Sequence, residues 1–169
     1  MVVSGNVGSA VKHGDIIRDW QAHVVALQEI KCDEAQLLSQ MFESRKKGWE
    51  WTNGQALRRK SRAEAATDGS EGDLGCGGTG IMTRSPLSQT RIRPKDDAER
   101  ELYDTGRWCG SEIPVAAATV MMLLHCFYGV SGSSLSKRRE NERWLRALLE
   151  LLKKAGRRLP VVVCMDANL

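Results

Sequence analysis

The sequence is poor in the residues that most often bind metals or act as general bases in enzymes. It has three histidines among 169 residues, and its five cysteines, at positions 32, 76, 109, 126 and 164, include no Cys-X-X-Cys pair. The spacing therefore predicts neither a zinc site nor a disulfide framework. Cys126 and Cys164 lie within apolar runs, where cysteine behaves as a small buried hydrophobic residue. Reduced cysteines favour an intracellular protein, nuclear or cytoplasmic.

Signals for secretion and membrane insertion are also weak. The first residues, MVVSGNVGSAVKHG, lack the charged start and the long apolar stretch of a signal peptide. The uncharged segment 113–136 has the length of a membrane span, but it contains Pro114 and His125 and ends in GVSGSS. A buried strand accounts for the apolar part of this segment better than a membrane-spanning helix does. A single-span membrane protein that uses residues 113–130 is the least favoured interpretation.

The net charge of +4 does not by itself indicate a polyanionic partner. Basic residues do occur in local runs, within 58–62, 91–95, 137–139 and 153–158. A single run of this kind is usually a solvated face. Several runs that converge on one cleft would bind phosphates.

Hydrophobic periodicity predicts strands that alternate with helices. Strands are predicted at MVVSGN, HVVALQE, WEWT, CGGTGIMTRSPLS, GRWCGSEI, VAAATVMMLLHCFYG and LPVVVCMDANL, with QTRIRP pairing with CGGTGIMTRSPLS. Helices are predicted over 9–20, from Asp33 to about Gly48, and over 137–155. Together these elements predict a single α/β domain, a sandwich of sheets with helices packed outside.

Two of the helices have a clear apolar face. The helix that follows Asp33 is expected to bury Leu37, Leu38, Met41 and Phe42, and Asp33 with Gln36 has the spacing of a capping box. In the 137–155 helix, one stripe faces a sheet, with Ser136 as the expected cap; the stripe consists of Trp144, Leu148, Leu151, Leu152 and Ala155. Residues 54–75 have little apolar content and four glycines, which predicts a mobile surface loop.

Two buried strands end in carboxylates, VVALQE at Glu29 and VVVCMD at Asp166. Either acid alone could mark the place where a strand reaches water. A carboxylate at the mouth of a buried strand is costly to desolvate unless a cation or hydrogen-bond donors meet it. Asn6 and Asn168 lie at strand ends as well. If neighbouring strands bring these residues together, the natural partner is Mg²⁺, which takes one or two carboxylates and keeps waters and phosphate oxygens.

Tyr128 ends another apolar strand and could donate its hydroxyl to a phosphate oxygen, although such a tyrosine is more often a packing residue. The two-residue period of the strand puts Tyr128 on one face with Cys126 and puts His125 on the other face with Phe127. His125 is therefore a poor candidate for a base that works beside Tyr128. The glycine-rich GCGGTG has no following GK[ST], so a phosphate loop is not predicted.

In order and spacing, a set of short motifs resembles the endonuclease/exonuclease/phosphatase superfamily. The motifs are NVGS, VVALQEIK, GGTGIMTRSPLS, GRW, HCFYG, RRENERWLRALLELLK and LPVVVCMDANL. The superfamily includes apurinic/apyrimidinic endonucleases and the endonuclease domains of LINE-type retrotransposons. The resemblance implies a four-layer αββα sandwich and cleavage of phosphoester bonds that depends on Mg²⁺ or Mn²⁺.

The resemblance also implies a role for each residue that matches a family motif. Glu29 corresponds to the metal-binding glutamate, and Asn6 to an asparagine that supports the metal site. Tyr128 corresponds to a tyrosine that contacts the phosphate. Asp166 corresponds to the aspartate that positions or deprotonates the attacking water, and Asn168 to an amide that steadies the phosphate.

Some residues depart from the family pattern. Gly8 stands where some members have a second acid near the metal, and Met165 replaces the glycine that commonly precedes the aspartate of the last motif. The family's second half, which supplies another asparagine, another aspartate and a terminal Asp-His pair, has no counterpart here. We therefore expect residues 1–169 to form a single partial domain whose second half is missing, with little or no activity alone.

The resemblance leaves the substrate open, because relatives cleave abasic DNA, DNA, RNA, inositol phosphates and sphingomyelin. The stretch RRENERWLRALLELL is closer to the abasic-site and retrotransposon endonucleases, so nucleic acid is the expected partner. The alternative is a non-catalytic remnant that binds nucleic acid or protein through its basic residues. The oligomeric state is not predicted.

Overall fold

A computed structural model of the chain describes residues 1–58, 77–115, 120–130, 132, 134–155 and 159–168. Most of the loop expected at 54–75 therefore lies outside the described residues. Residues 55–58 are described and belong to neither a helix nor a strand. No helix in these described ranges is long and apolar enough to cross a membrane.

The described residues form strands and helices in the order that the sequence predicts, with one additional helix. The elements are β1 (Val2–Asn6), α1 (Ala10–Arg18), β2 (Val24–Gln28), α2 (Glu34–Lys46), β3 (Trp49–Asn53), β4 (Thr79–Arg84), β5 (Thr90–Arg91), α3 (Asp97–Asp104), β6 (Trp108–Val115), β7 (Val120–Tyr128), α4 (Leu135–Ala155) and β8 (Val161–Asp166). The additional helix is α3, which begins after Asp96, whose side chain accepts from the Glu99 amide.

The strands form two four-stranded sheets. The first has the order β1-β2-β4-β3, with β1 and β2 parallel and the other pairs antiparallel. The second has the order β5-β6-β7-β8, with β7 and β8 parallel. The expected pairing of QTRIRP with β4 is wrong. After β4 the chain crosses to the other sheet, where Thr90 and Arg91 pair with β6 and the Ile92 amide bonds to Gly110.

The two sheets pack face to face and carry helices on their outer faces, which confirms the four-layer α/β sandwich. The inner core joins Val24, Ala26 and Ile81 of the first sheet to buried residues of the second, namely Cys109, Ile113, Leu124, Cys126 and Cys164. The helices α1 and α2 cover the first sheet. The helices α3 and α4 cover the second. Because β2 is covered on both faces, all five of its residues are buried, which explains its continuous apolar run.

The cysteines that the structure describes, Cys32, Cys109, Cys126 and Cys164, are buried and unbridged. Their burial confirms that Cys126 and Cys164 act as core residues. Cys109, Cys126 and Cys164 occupy matching positions on β6, β7 and β8. Burial raises the pKa of both the Cys126 and the Cys164 thiol.

The predicted apolar face is largely correct for α4 and only partly correct for α2. In α2 the capping box of Asp33 and Gln36 is present, but Leu38 and Phe42 are 61% and 62% exposed. Successive helical residues are rotated by about 100°. Since Leu37 and Ser44 point into the protein, Leu38 and Phe42 face solvent. In α4, Trp144, Leu148 and Leu151 are buried as predicted.

The start of α4 differs from the prediction by two residues. The Lys137 amide donates to the Ser134 hydroxyl at 3.3 Å, and the helix begins at Leu135. Ser134, rather than Ser136, therefore caps this helix.

Candidate functional site

The polar residues singled out in the sequence lie at one end of the sandwich, where β1, β2, β7 and β8 finish. Asn6 is opposite Gln28 in the parallel register of β1 and β2, and Glu29 follows Gln28 directly. Tyr128 is opposite Asp166 in the parallel register of β7 and β8. The two parallel pairs belong to different sheets, so the site lies across the interface between the sheets.

Asn6 connects the two sheets through its side chain. Its Nδ2 donates to Oδ2 of Asp166 at 3.0 Å, a contact between residues 160 positions apart in the chain. Its Oδ1 accepts the Gly8 amide at 3.0 Å, and Gly8 has a positive φ of 63°. Both ends of the carboxamide are thus fixed by partners. Asn6 holds Asp166 in place, and its carbonyl oxygen retains one further lone pair for a cation.

Asp166 and Asn168 form a compact turn beyond the end of β8. Oδ1 of Asp166 accepts the Asn168 amide at 3.3 Å, and Nδ2 of Asn168 donates to the Gly129 carbonyl at 3.1 Å. Asn168 has a φ of 50°, a left-handed conformation that asparagine tolerates better than most residues. The second hydrogen of its amide nitrogen remains for another acceptor, such as a phosphate oxygen.

Glu29 has a left-handed backbone with a φ of 58°, and so does Lys31 with a φ of 45°. Such conformations cost about 1–3 kcal/mol for residues other than glycine and concentrate at functional sites. Here the amides of Ile30 and Lys31 bond to the carbonyls of Gly78 and Gly77, which holds the segment in this shape. The Glu29 carboxylate is 2.9 Å from the Lys31 ammonium, and the Glu29 side chain is 16% exposed.

Tyr128 is 2% exposed and offers very little surface to a ligand in this arrangement. The guanidinium of Arg107 lies 5.6 Å from the centre of its ring, and Nη1 of Arg107 donates to the Gly129 carbonyl at 2.7 Å. Arg107 thus places a cation beside the site. This position of Arg107 was not predicted from the sequence, although GRW is one of the motifs that carry the family resemblance.

Asn141 of α4 is the second residue that the sequence analysis missed. It is 5% exposed, and its carboxamide binds both the Val130 amide and the Ala167 carbonyl. Its position three residues before Trp144 puts a polar side chain in the apolar stripe of α4. A polar residue inside such a stripe is the sequence signal that could have revealed it.

The histidines lie elsewhere. His125 is 1% exposed and faces the outer layer of the second sheet, as the strand period predicts. Its Nδ1 accepts from Trp108 Nε1 at 3.2 Å, and burial lowers its pKa to about 4. His13 is on the exposed surface of α1, and His23 lies at the opposite end of β2 next to the chain's amino group.

The oxygen ligands at this site suit a hard divalent cation. Within the described ranges, no three or more His, Cys, Asp and Glu side chains are grouped so that they could hold a metal ion. Mg²⁺ does not need such a group, since it is often bound by one or two carboxylates with waters and substrate phosphates. Glu29 supplies a carboxylate whose present counter-ion is Lys31. These oxygen donors would fit Mg²⁺ or Mn²⁺, with Glu29 as the candidate protein ligand.

Comparison with known families gives a match over nearly the whole chain. A family model described as the Endonuclease/Exonuclease/phosphatase family matches residues 8–169. No curated protein matches the chain.

Solved structures with the same fold include three nucleic-acid enzymes or their relatives. An AP endonuclease from Archaeoglobus fulgidus has a TM-score of 0.62 and 17% identity, covering 99% of this chain and 57% of that chain. The 3′ phosphatase NExo from Neisseria, bound to a product DNA hairpin, has a TM-score of 0.62 and 18% identity, with coverages of 99% and 57%. Humanized TDP2 from D. rerio has a TM-score of 0.59 and 19% identity, with coverages of 99% and 66%. The present chain thus spans between 57% and 66% of these three chains.

Proposed function

Since the chain belongs to the endonuclease/exonuclease/phosphatase family, we propose that its site hydrolyses phosphodiester bonds in nucleic acid with the help of Mg²⁺ or Mn²⁺. The observation that carries the proposal is the Asn6–Asp166 hydrogen bond of 3.0 Å. It joins the ends of β1 and β8, and Asn6 is opposite Gln28, the residue that directly precedes Glu29.

The proposed roles follow from the surroundings of each residue. Glu29 would hold the divalent cation, which would supply positive charge to neutralise the charge that develops on the phosphoryl oxygens. Asp166 orients the attacking water and takes its proton. Because both of its oxygens already accept hydrogen bonds, from Asn6 and from the Asn168 amide, the carboxylate is fixed in direction. A fixed group loses little freedom when the reaction begins.

Asn168 and Tyr128 are proposed to contact the phosphate. Asn168 reaches it with the amide hydrogen that the Gly129 carbonyl does not use. Tyr128 would act through its hydroxyl, and because its side chain is 2% exposed, that contact would require the tyrosine to become more accessible than it is in this structure. The ring is held under Arg107, whose charge favours an anion at this position.

Nucleic acid is the proposed substrate because two similar structures hold DNA, the Neisseria NExo with a product hairpin and D. rerio TDP2 with a single-strand product. The basic runs of α4 give less support to a purely non-catalytic binding role. Three of these cations pair with acids, namely Lys137 with Glu140, Lys153 with Glu150 and Lys154 with Asp96.

The proposal is tested by nicking of supercoiled DNA and by titration of the protein with Mn²⁺. We expect slow nicking that requires the divalent cation, since no histidine is placed to act as a base at this site. Glu29→Gln keeps the shape of the side chain and removes its charge. It is expected to weaken Mn²⁺ binding by about tenfold or more and to lower nicking accordingly.

The matched control is Glu43→Gln. Glu43 also pairs with a lysine, Lys46 at 2.8 Å, but lies near the far end of α2. Salt-sensitive DNA binding by the wild-type protein without nicking at any Mn²⁺ concentration would replace the proposed hydrolase with the non-catalytic binding function. Equal Mn²⁺ affinity in wild type and Glu29→Gln would remove Glu29 as the metal ligand.

Lys31 is expected to compete with the metal for Glu29. A cation that binds Glu29 has to displace or share an ammonium 2.9 Å away. Ion pairs at partly exposed positions are worth about 0.2–1 kcal/mol, so Lys31→Met should tighten Mn²⁺ binding by up to about fivefold. Calorimetric titration measures the change, and Lys46→Met, which breaks the Glu43 pair, should leave the affinity unaltered. Weaker binding in Lys31→Met would show that Lys31 supports the site rather than competing with the metal.

A further inference from the structure

The parallel pairing of β7 and β8 ends at the candidate site in an unusual way. The last regular bond runs from the Gly129 amide to the Asp166 carbonyl at 2.7 Å. A continuing parallel ladder would bring the Asn168 amide to the Gly129 carbonyl. Instead, the Asn168 backbone turns towards Asp166 Oδ1, and its side chain takes the Gly129 carbonyl. Backbone pairing therefore stops between the strand ends that carry Tyr128 and Asp166.

The carboxamide of Asn141 bridges the two strands at the point where their pairing stops. Its Oδ1 accepts the Val130 amide at 2.9 Å, and its Nδ2 donates to the Ala167 carbonyl at 2.7 Å and to the Asn168 carbonyl at 3.4 Å. One side chain thus satisfies backbone groups on both strands, as a further pair of ladder bonds would.

The space around this bridge is very small. A Cβ atom added to Gly129 would lie 2.3 Å from the Ala167 carbonyl oxygen and 2.8 Å from Asn141 Oδ1. The close approach requires glycine at position 129 and leaves the Asp166–Asn168 turn no room to shift towards β7. The bridge is anchored on its other side by α4, where Trp144 and Leu148 are buried in the outer layer.

We propose that Asn141 is a positioning residue that fixes the Asp166–Asn168 turn relative to Tyr128 and so sets the geometry of hydrolysis. This inference rests on the proposed function for its catalytic consequence. Among the described residues, the hydrogen bonds of the Asn141 side chain go to backbone groups, so Asn141 acts through Asp166 and Asn168. Misplacing a reacting group by about 1 Å can cost about 10²-fold in rate, so loss of the bridge should lower kcat. The Mn²⁺ affinity, which is proposed to depend on Glu29, should change little.

Two variants and one control test the proposal. Asn141→Ala removes the bridge, and Asn141→Leu removes it without leaving a cavity. Leu148→Ala weakens the same face of α4 by packing alone, since Leu148 is 2% exposed and lies two turns further along the helix. Amide exchange measured by NMR reports on order independently of activity. Exchange of the Gly129 amide reports on the end of the β7–β8 ladder at the candidate site. Exchange of the Leu123 amide, which bonds to the Pro160 carbonyl at 2.9 Å, reports on the other end.

In both Asn141 variants we expect amide exchange at Gly129 to rise at least tenfold relative to exchange at Leu123. We also expect kcat to fall at least tenfold while the Mn²⁺ Kd stays within threefold of the wild-type value. In Leu148→Ala the two amides should change together. Equal changes at Gly129 and Leu123 in the Asn141 variants would overturn the proposal, as would an unaltered kcat. If the wild-type protein does not cleave, the proposed hydrolase fails, and the exchange ratio alone decides whether Asn141 orders the turn.

Discussion

Asp166→Asn is expected to lower the rate of metal-dependent cleavage by at least about 10²-fold, the lower bound for a positioned acid–base group. The substitution keeps the size of the side chain. Its Oδ1 can still accept the Asn168 amide, so the turn after β8 should survive. The negative charge that attracts the proton of the attacking water is lost. On the Asn6 side, an amide nitrogen at the place of Oδ2 would face the Asn6 donor, and so the bond between the sheets would be lost as well.

The control for this result is Asp19→Asn, which removes a carboxylate of the same type at the far end of the first sheet, where it pairs with Lys47 at 2.8 Å. Nicking rates at saturating Mn²⁺ compare the two variants with the wild type, and thermal melting checks that all three are folded. A cleavage rate in Asp166→Asn within threefold of the wild type would exclude Asp166 as the water-activating group.

The second large effect is a loss of stability on acidification that depends on His125. Burial lowers the pKa of this histidine from 6.5 to about 4, because the ring is enclosed beside Trp108. The unfolded chain therefore takes up a proton at a higher pH than the folded one. The contribution to stability is fully present above pH 6.5 and is lost as the pH falls towards 4. A difference of this size corresponds to about 3 kcal/mol of unfolding free energy.

Urea unfolding at a series of pH values between 7 and 4 measures this loss. His125→Gln keeps an acceptor for Trp108 Nε1 and cannot be protonated, so its stability should fall by about 3 kcal/mol less than that of the wild type over the same range. The carboxylates that titrate in the same pH interval are present in both proteins, so their contribution to the loss of stability cancels in the difference. His13→Asn, on the exposed surface of α1, should follow the wild-type curve. Parallel curves for the wild type and His125→Gln would contradict the assignment.

The parts of the fold that follow from local pattern could be predicted from the sequence. The continuous apolar run before Glu29 is buried throughout, and Trp144, Leu148 and Leu151 of the α4 stripe are buried as predicted, since covered strands and amphipathic helices impose their periods directly. The predicted burial of Leu38 and Phe42 is wrong, because the apolar character of a residue does not indicate how wide a face of the helix the sheet covers. The predicted pairing of QTRIRP with β4 is wrong, because a strand of two residues carries almost no sequence pattern that could identify its partner.

The candidate site shows the same division. The acids could be found because each ends an apolar run, and the resemblance indicated that the runs meet. Arg107 and Asn141 could not be found in this way, because their roles depend on bonds to backbone atoms 22 and 26 positions away. A sequence shows which side chains are present, but a contact to a carbonyl group leaves no trace in the identity of the residue that supplies the carbonyl.

The bond between Asn6 and Asp166 makes the chemistry sensitive to how far apart the sheets lie. Side chains such as Ala26 and Cys164, which belong to the inner core, act as spacers between the layers. A bulkier residue there would wedge the layers apart and stretch a contact that tolerates only a few tenths of an ångström. The proposed hydrolysis would therefore depend partly on the thickness of the interior, at core positions that lie between the two sheets.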